Sequence, residues 1–472
     1  MIFSSLVFLC VFFPIVLILH CLLPSLRLKN MLLILASLLF YAYGEPVYVL
    51  LMIASSVVNY AAARLVCPGR AHRKLFLAAD IAVNLGILVF FKYAAFLVET
   101  VNALSGAQLP VPQIPLPVGI SFFTFQALSY VIDVYWDKVE VQISYPKVLL
   151  YISFFPQLVA GPIVKYRDIS EAIDNRFIDA DGVACGMRRF ICGLGKKVLI
   201  ANTVGLAADR IFSAPHAEID AAAAWIGAIA YTLQIYYDFS GYSDMAIGLG
   251  QMFGFTFREN FLYPYGAVNV KDFWRKWHVS LSTWFKEYLY IPLGGNRKGR
   301  VRTCVNLLIV FLCTGIWHGA NWTFVVWGLW HGMFLLLERI VPAINKLPSV
   351  VTRIYTMLVV IVGWVIFRAD TFGDGLFILH KMFAGPVEGG FGNLALQQVT
   401  PWFAAMAAAG IIGMAPVSGI VRRIKARTED GACTGGWKAV HVMTYVLSVP
   451  LLVWCMVRLS GSTYNPFIYF RF

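Results

Sequence analysis

Apolar runs long enough to cross a hydrocarbon core of about 30 Å recur along this 472-residue chain, with only short polar breaks between them. Lipid offers no partner to backbone N–H and C=O groups, so such a run must close its own hydrogen bonds as a helix or join a closed barrel. Continuous rather than alternating apolar residues select the helix. Spans are expected near residues 2–24, 31–44, 46–64, 75–97, 303–325, 349–368, 401–421 and 438–458. Only 13% of residues are charged and mean hydropathy is +0.72, against about 25% charged in a soluble domain. The expected fold is an all-α polytopic membrane protein, one domain over residues 1–472 with no separate soluble part. The run from Ile2 to Leu23 has no basic residue ahead of it and no small-residue cleavage site. It reads as a retained first span rather than a signal peptide.

The excess of 38 Lys and Arg over 25 Asp and Glu gives a net charge of +13. In a membrane protein such an excess sits in cytoplasmic loops and sets topology, so nucleic-acid binding is not expected. The clusters Arg27/Lys29, Arg64/Arg70/Arg73/Lys74, Arg297/Lys298/Arg300/Arg302 and Arg422/Arg423/Lys425/Arg427 are therefore assigned to the cytoplasm. Linkers 103–116 and 386–399 carry no Lys or Arg and fit the opposite side. Both termini then lie outside, and the last span delivers the tail GSTYNPFIYFRF, residues 461–472, to the outer surface. Nine scattered cysteines without CxxC spacing argue for neither a disulfide framework nor a metal site.

The pattern changes between residues 117 and 300, where PVGISFF, FFPQLVAGPIVKYRD, YDFSGYSD and KDFWRKWH interrupt the apolar runs. Backbone that departs from a continuous helix at membrane depth is tolerated where protein buries it or where it lines a cavity. Residues 117–340 are thus the expected core, residues 1–100 a scaffold and 349–460 the C-terminal spans. Within this core, His278 and His318 stand in or beside apolar stretches, where an ionisable group needs a polar partner or a wet cavity. An imidazole suits a general base acting on a hydroxyl near neutral pH; a histidine hydrogen-bonded between helices for packing alone fits the same pattern. For His331 the packing role is preferred. His20, His72, His216, His380 and His441 lie in ordinary contexts.

Gly315 and Gly319 would let another backbone approach His318, and Trp317, Trp322, Trp327 and Trp330 would supply apolar walls or interface anchors. Trp277, Tyr242 and Asn321 are further supporting candidates. Asp238 and Asp244 need partners in a span, and Arg275 or Lys276 is the plausible one; structural pairing is preferred over catalysis for both carboxylates. CGLGKK, residues 192–197, lacks the first glycine of a phosphate loop and reads as a basic helix end. No HExxH or GxSxG motif occurs, which removes metalloproteolysis and nucleophile-elbow chemistry.

The blocks PVGISFFTFQALSYVIDVYW, FFPQLVAGPI, YDFSGYSDMAIGLGQMFGF, NVKDFWRKWHVSLSTWFKEYLYIPLGG and GIWHGANW together resemble the membrane-bound O-acyltransferase family, and within it the bacterial alginate O-acetyltransferase branch. The resemblance covers essentially the whole chain. It implies a ring of tilted transmembrane and re-entrant helices around a central tunnel in the bacterial inner membrane. The family's histidine base falls on His318 and its second polar position on His278. The tail motif NPFIYFRF is similar to one whose tyrosine is proposed to receive the acyl group, which makes Tyr469 the carrier candidate; an aromatic interface anchor is the alternative. No bound cofactor or metal is implied. Acetyl-CoA or another acyl thioester would be the donor, and Arg275, Lys276, Lys286, Arg297 and Lys298 could attract its phosphates. An extracytoplasmic SGNH-hydrolase-like partner would pass acetyl to an exopolysaccharide, alginate first among peptidoglycan, cellulose, capsule and teichoic acid. A secondary transporter is the competing class, but the chain shows no internal repeat symmetry.

Overall fold

The computed structural model describes residues 1–383, 392–415 and 434–468, and every regular element among them is a helix. The 422–427 basic cluster, most of the 386–399 linker's first half and Tyr469 lie outside the described residues. Six described helices are long and apolar enough to cross a membrane: Tyr48–Val66, Arg73–Ser105, Ala180–Phe212, Gly299–His318, Ser349–Arg368 and Val442–Ser460. Phe8–Leu22, Ile120–Tyr135 and Pro401–Gly413 are shorter apolar helices. The chain is thus a multi-pass, all-α membrane protein. It divides into two compact units, residues 1–187 with 246–258, and residues 188–245 with 259–472.

In the first unit, helix Ile120–Tyr135 is buried from Ile120 to Val134. Gly119 precedes it at φ +78°, and a Cβ there would stand 2.9 Å from the Leu158 carbonyl oxygen, so only glycine lets the irregular FFPQLVAGPI segment pack so close. Asn59 and Asn84 exchange amide hydrogen bonds of 3.1 and 3.2 Å, joining helices Tyr48–Val66 and Arg73–Leu88 through their apolar interior.

The second unit corrects three expectations. The 303–325 run is not one span: helix Gly299–His318 ends at the histidine and helix Trp322–Ile340 begins four residues on. The two helices cross at Gly315 and Gly328, whose Cα atoms are close enough that a Cβ on Gly315 would lie 2.3 Å from the Phe324 carbonyl. YDFSGYSD does not break its helix either; Ala221–Met252 runs 32 residues without interruption. Its Gly241 is a crossing point, where Gly193 and Gly241 each lie against the other's carbonyl. CGLGKK is consequently helix interior rather than a helix end, with Gly193 spent on the crossing and both lysines paired with carboxylates of the facing helix.

Candidate active site

His278 occupies a break between two short helices, Val270–Lys276 and Val279–Phe285. The first is fastened at its N-terminus, where the Asn269 side chain accepts from the Asp272 N–H at 2.7 Å and the Glu338 carboxylate accepts from the Val270 and Lys271 amides. His278 itself sits at φ +44°, a left-handed conformation that costs a non-glycine residue about 1–3 kcal/mol. The strain persists because neighbours hold the backbone on both sides: Leu262 N–H donates to Lys276 O and Val279 N–H to Asn260 O, each at 2.9 Å.

The Asn260 side chain then orients the imidazole. Its Oδ1 accepts from the Ser280 N–H at 3.1 Å, and the oxygen is the side-chain amide's only acceptor atom, so the amide's orientation follows. The same Oδ1 lies 3.2 Å from His278 Nδ1, which must therefore carry the proton. Nε2 is left with its lone pair, buried and without a hydrogen-bond partner among the described residues. The ring is 1% exposed and rests edge-on to Phe239 at 4.6 Å.

Trp317 lies 6.2 Å from the His278 ring and next to His318, so one indole is shared by the two histidines. His318 closes its helix within an aromatic box: Trp327 stands 5.1 Å away and Phe367 5.3 Å. Gly319 does not admit a backbone as expected; the Phe324 ring occupies the place of its missing Cβ. His331 is fully buried among Trp274, Trp327, Phe273 and Trp364, and neither ring nitrogen has a hydrogen-bond partner among the described residues. Trp277 is buried and lies in the same aromatic cluster. Trp322 is 53% exposed at the start of its helix, which places it away from this wall. Asn321 caps that helix, accepting from the Thr323 N–H at 3.0 Å and donating to Asp370 O at 2.9 Å.

The carboxylates are paired, but with other residues than expected. Lys276 is taken by Asp272 one turn earlier at 2.7 Å. Asp244 binds Arg189 at 2.8 Å and Lys196 at 2.6 Å. Asp238 binds Lys197 at 2.7 Å, with both side chains 3% exposed or less. The chain's last described residues are threaded into this same interior. Tyr464 OH donates to Asp209 Oδ2 at 2.6 Å, and Arg368 holds the other oxygen of that carboxylate at 2.7 Å. Burial and the Asp209 carboxylate push the Tyr464 phenol well above its ordinary pKa, so it stays a donor. Asn202 Nδ2 donates to Asn465 Oδ1, Lys197 Nζ to the Pro466 carbonyl, and the Ile468 N–H to Asp238 Oδ2. Phe467 stacks on Tyr242 at 4.5 Å, and Ile468 packs in the cluster that contains Trp277 and Trp327. Phe467 and Ile468 are thus buried by protein, and Tyr464–Pro466 are half-buried.

A cavity of about 650 Å³ is lined in part by Trp274, whose ring lies 5.6 Å from Trp327, and Trp327 in turn lies 5.1 Å from His318. Lys271, Arg275, Lys286 and Arg339 line it. Arg275 and Lys286 are among the expected donor-phosphate residues, whereas Lys276, Arg297 and Lys298 do not line this cavity. Asn260, Lys197, Lys271 and Arg339 escaped the sequence reading. Lys197 alone carried a signal, as a cation inside an apolar helix.

A family model described as MBOAT, membrane-bound O-acyltransferase family, matches residues 120–370. The chain is 38% identical to the "Probable alginate O-acetylase AlgI" of Pseudomonas putida, over 100% of both chains. It is 36% identical to the "Peptidoglycan O-acetyltransferase" of Helicobacter pylori over 74% of this chain and 73% of that one. A "Teichoic acid D-alanyltransferase" of Bacillus subtilis is 26% identical over 52% of this chain and 65% of its own.

Proposed function

Since the chain belongs to the membrane-bound O-acyltransferase family, we propose that this O-acyltransferase moves acetyl from cytoplasmic acetyl-CoA through the bacterial inner membrane to its own tail, for O-acetylation of an exopolysaccharide. Both termini lie on the periplasmic side in this reading. The observation that carries it is the convergence of three features on one aromatic cluster: a basic cavity, two buried histidines and a docked C-terminal segment. The cavity's four cations suit the phosphates of CoA. Its wall at Trp274 leads to Trp327 and His318, the direction a thioester arm would take.

The Tyr469 hydroxyl attacks the thioester carbonyl carbon, forming a C–O bond as the C–S bond breaks. His318 takes the phenol proton and returns it to the departing CoA thiolate, so the charges balance without a bound metal or cofactor. The phenol's single proton goes to His318, so His278, with only its Nε2 lone pair to offer, accepts instead from the CoA thiol once the proton has been returned and holds the leaving group in line. Walls of tryptophan and phenylalanine keep competing water away from the thioester. The resulting tyrosyl ester then meets an SGNH-hydrolase-like partner outside, which passes acetyl to a sugar hydroxyl. Alginate is the preferred polymer because the 38%-identical AlgI relative is matched over its whole length. Peptidoglycan is the second reading, on the Helicobacter pylori relative.

The test is purified full-length protein in nanodiscs with labelled acetyl-CoA, followed by mass spectrometry of the C-terminal peptide. Label on Tyr469 is expected in the wild type and absent from His318→Ala and Tyr469→Phe. Folded wild type that gains no label would refute the reading.

A further inference from the structure

A Lys–Asp pair buried to 3% exposure is a poor source of stability, because desolvating two charges offsets most of their attraction. Lys197 and Asp238 nevertheless stand side by side in the second unit, and neither spends its capacity only on the other. Lys197 Nζ also donates to the Pro466 carbonyl, and Asp238 Oδ2 accepts from the Ile468 N–H at 2.8 Å. The pair therefore grips one acceptor and one donor of the tail backbone, two residues apart. Proline at 466 has no N–H of its own, so its carbonyl is the only backbone group it can offer. Tyr242 stacks on Phe467 between the two gripped groups, which leaves no slack for the segment to slide by a residue.

We propose that Lys197 and Asp238 are the positioning residues that set the register of residues 466–468, and with it the efficiency of acyl transfer to the tail. The inference rests on the reading of Tyr469 as acyl acceptor. Neither Lys197 nor Asp238 exchanges a proton or touches the donor; both act through backbone bonds to the tail. Sequence-specific contacts would tolerate side-chain changes within the tail poorly, whereas backbone bonds bind residues 466 and 468 regardless of their side chains. The register of residues 466–468 is then set by the clamp and the Phe467–Tyr242 stack together.

The experiment pairs hydrogen–deuterium exchange on the full-length protein in nanodiscs with the Tyr469 labelling assay. The double variant Lys197→Met, Asp238→Leu removes both charges and leaves neither unpaired, so it retains the fold where a single substitution risks losing it. The double variant Lys197→Gln, Asp238→Asn serves as the conservative variant, keeping a neutral donor for the Pro466 carbonyl and an acceptor for the Ile468 amide. In the wild type the Ile468 amide is expected to be protected. In the double variant protection is lost in the tail peptide alone, and the labelling rate falls about 100-fold, as for a reacting atom misplaced by an ångström. The acetyl-CoA concentration giving half-maximal rate stays unchanged, and the conservative double variant falls between the two. A double variant with wild-type labelling, or with its tail still protected, overturns the clamp while leaving the carrier reading intact. A wild type whose tail is protected but never labelled overturns the carrier reading, and with it the role assigned to the clamp.

Discussion

Asn260 offers the sharpest test of how His278 is held. Its Oδ1 accepts three bonds, from His278 Nδ1, the Ser280 N–H and the Ser280 hydroxyl, the last at 2.9 Å. Asn260→Ala removes that acceptor while the Asn260 carbonyl keeps its bond to the Val279 N–H, so the backbone of the turn survives. Each lost bond is worth about 1 kcal/mol net, and a buried donor left unpaired costs about 1–3 kcal/mol. The imidazole meets that cost by turning or by moving its proton to Nε2, and either change removes the lone pair from the departing thiol. A 100-fold fall in acetyl transfer is the expected size, since two factors of ten are about 2.7 kcal/mol of barrier. His278→Ala should cost about 10²–10⁴-fold, the range of a positioned proton-handling group.

A double-variant cycle separates this account from a general loosening of the site. If Asn260 works through His278, the double variant is no slower than His278→Ala alone, because nothing remains to be oriented. Asn260→Asp keeps the accepting oxygen, and the nitrogen it replaces has no hydrogen-bond partner among the described residues, so most of the rate should remain. The assay is initial-rate transfer from labelled acetyl-CoA, with thermal unfolding of each variant as the control for fold. Losses that multiply in the double variant would refute the reasoning, as would an Asn260→Ala enzyme of full rate.

Three further outcomes are expected. Arg275→Ala with Lys286→Ala should raise the half-saturating acetyl-CoA concentration about tenfold or more, with a shallower salt dependence than wild type, because two cavity cations are gone; titration of donor at several ionic strengths measures both. Gly315→Ala should destabilise the protein by about 1–3 kcal/mol, since the new Cβ lies 2.3 Å from the Phe324 carbonyl, whereas Gly86→Ala, with nothing within 4 Å, should be neutral or stabilising in a thermal melt. Tyr464→Phe should loosen the tail by about 1.5–3 kcal/mol, the worth of a bond to a charged group. Because the native phenol titrates above its ordinary range, tail protection in the wild type should stay level from about pH 6 to pH 9 and fall only as pH climbs through that raised pKa; deuterium exchange at each pH reads it.

The pattern of what the sequence disclosed follows from the physics of the bilayer. Charge in an apolar run is conspicuous because it is costly, so His278, His318, Asp238 and Asp244 stood out from their neighbours. The cost argument says that each needs a partner without saying which. Asp238 finds Lys197 and Asp244 finds Lys196 on a facing helix, rather than Arg275 or Lys276 downstream. Once those charges are satisfied and Gly241 meets Gly193, YDFSGYSD has no reason to leave the helix, which is why its expected break is missing. The break expected at KDFWRKWH does occur, at His278, but it is held by an asparagine eighteen residues upstream in an irregular loop that has no periodicity to betray it. Hence an isolated polar residue in such a chain is best treated as half of a contact. Lys197 and Asp238 show where that rule leads, because once matched to each other they still had bonding capacity left, and the tail backbone is what takes it up.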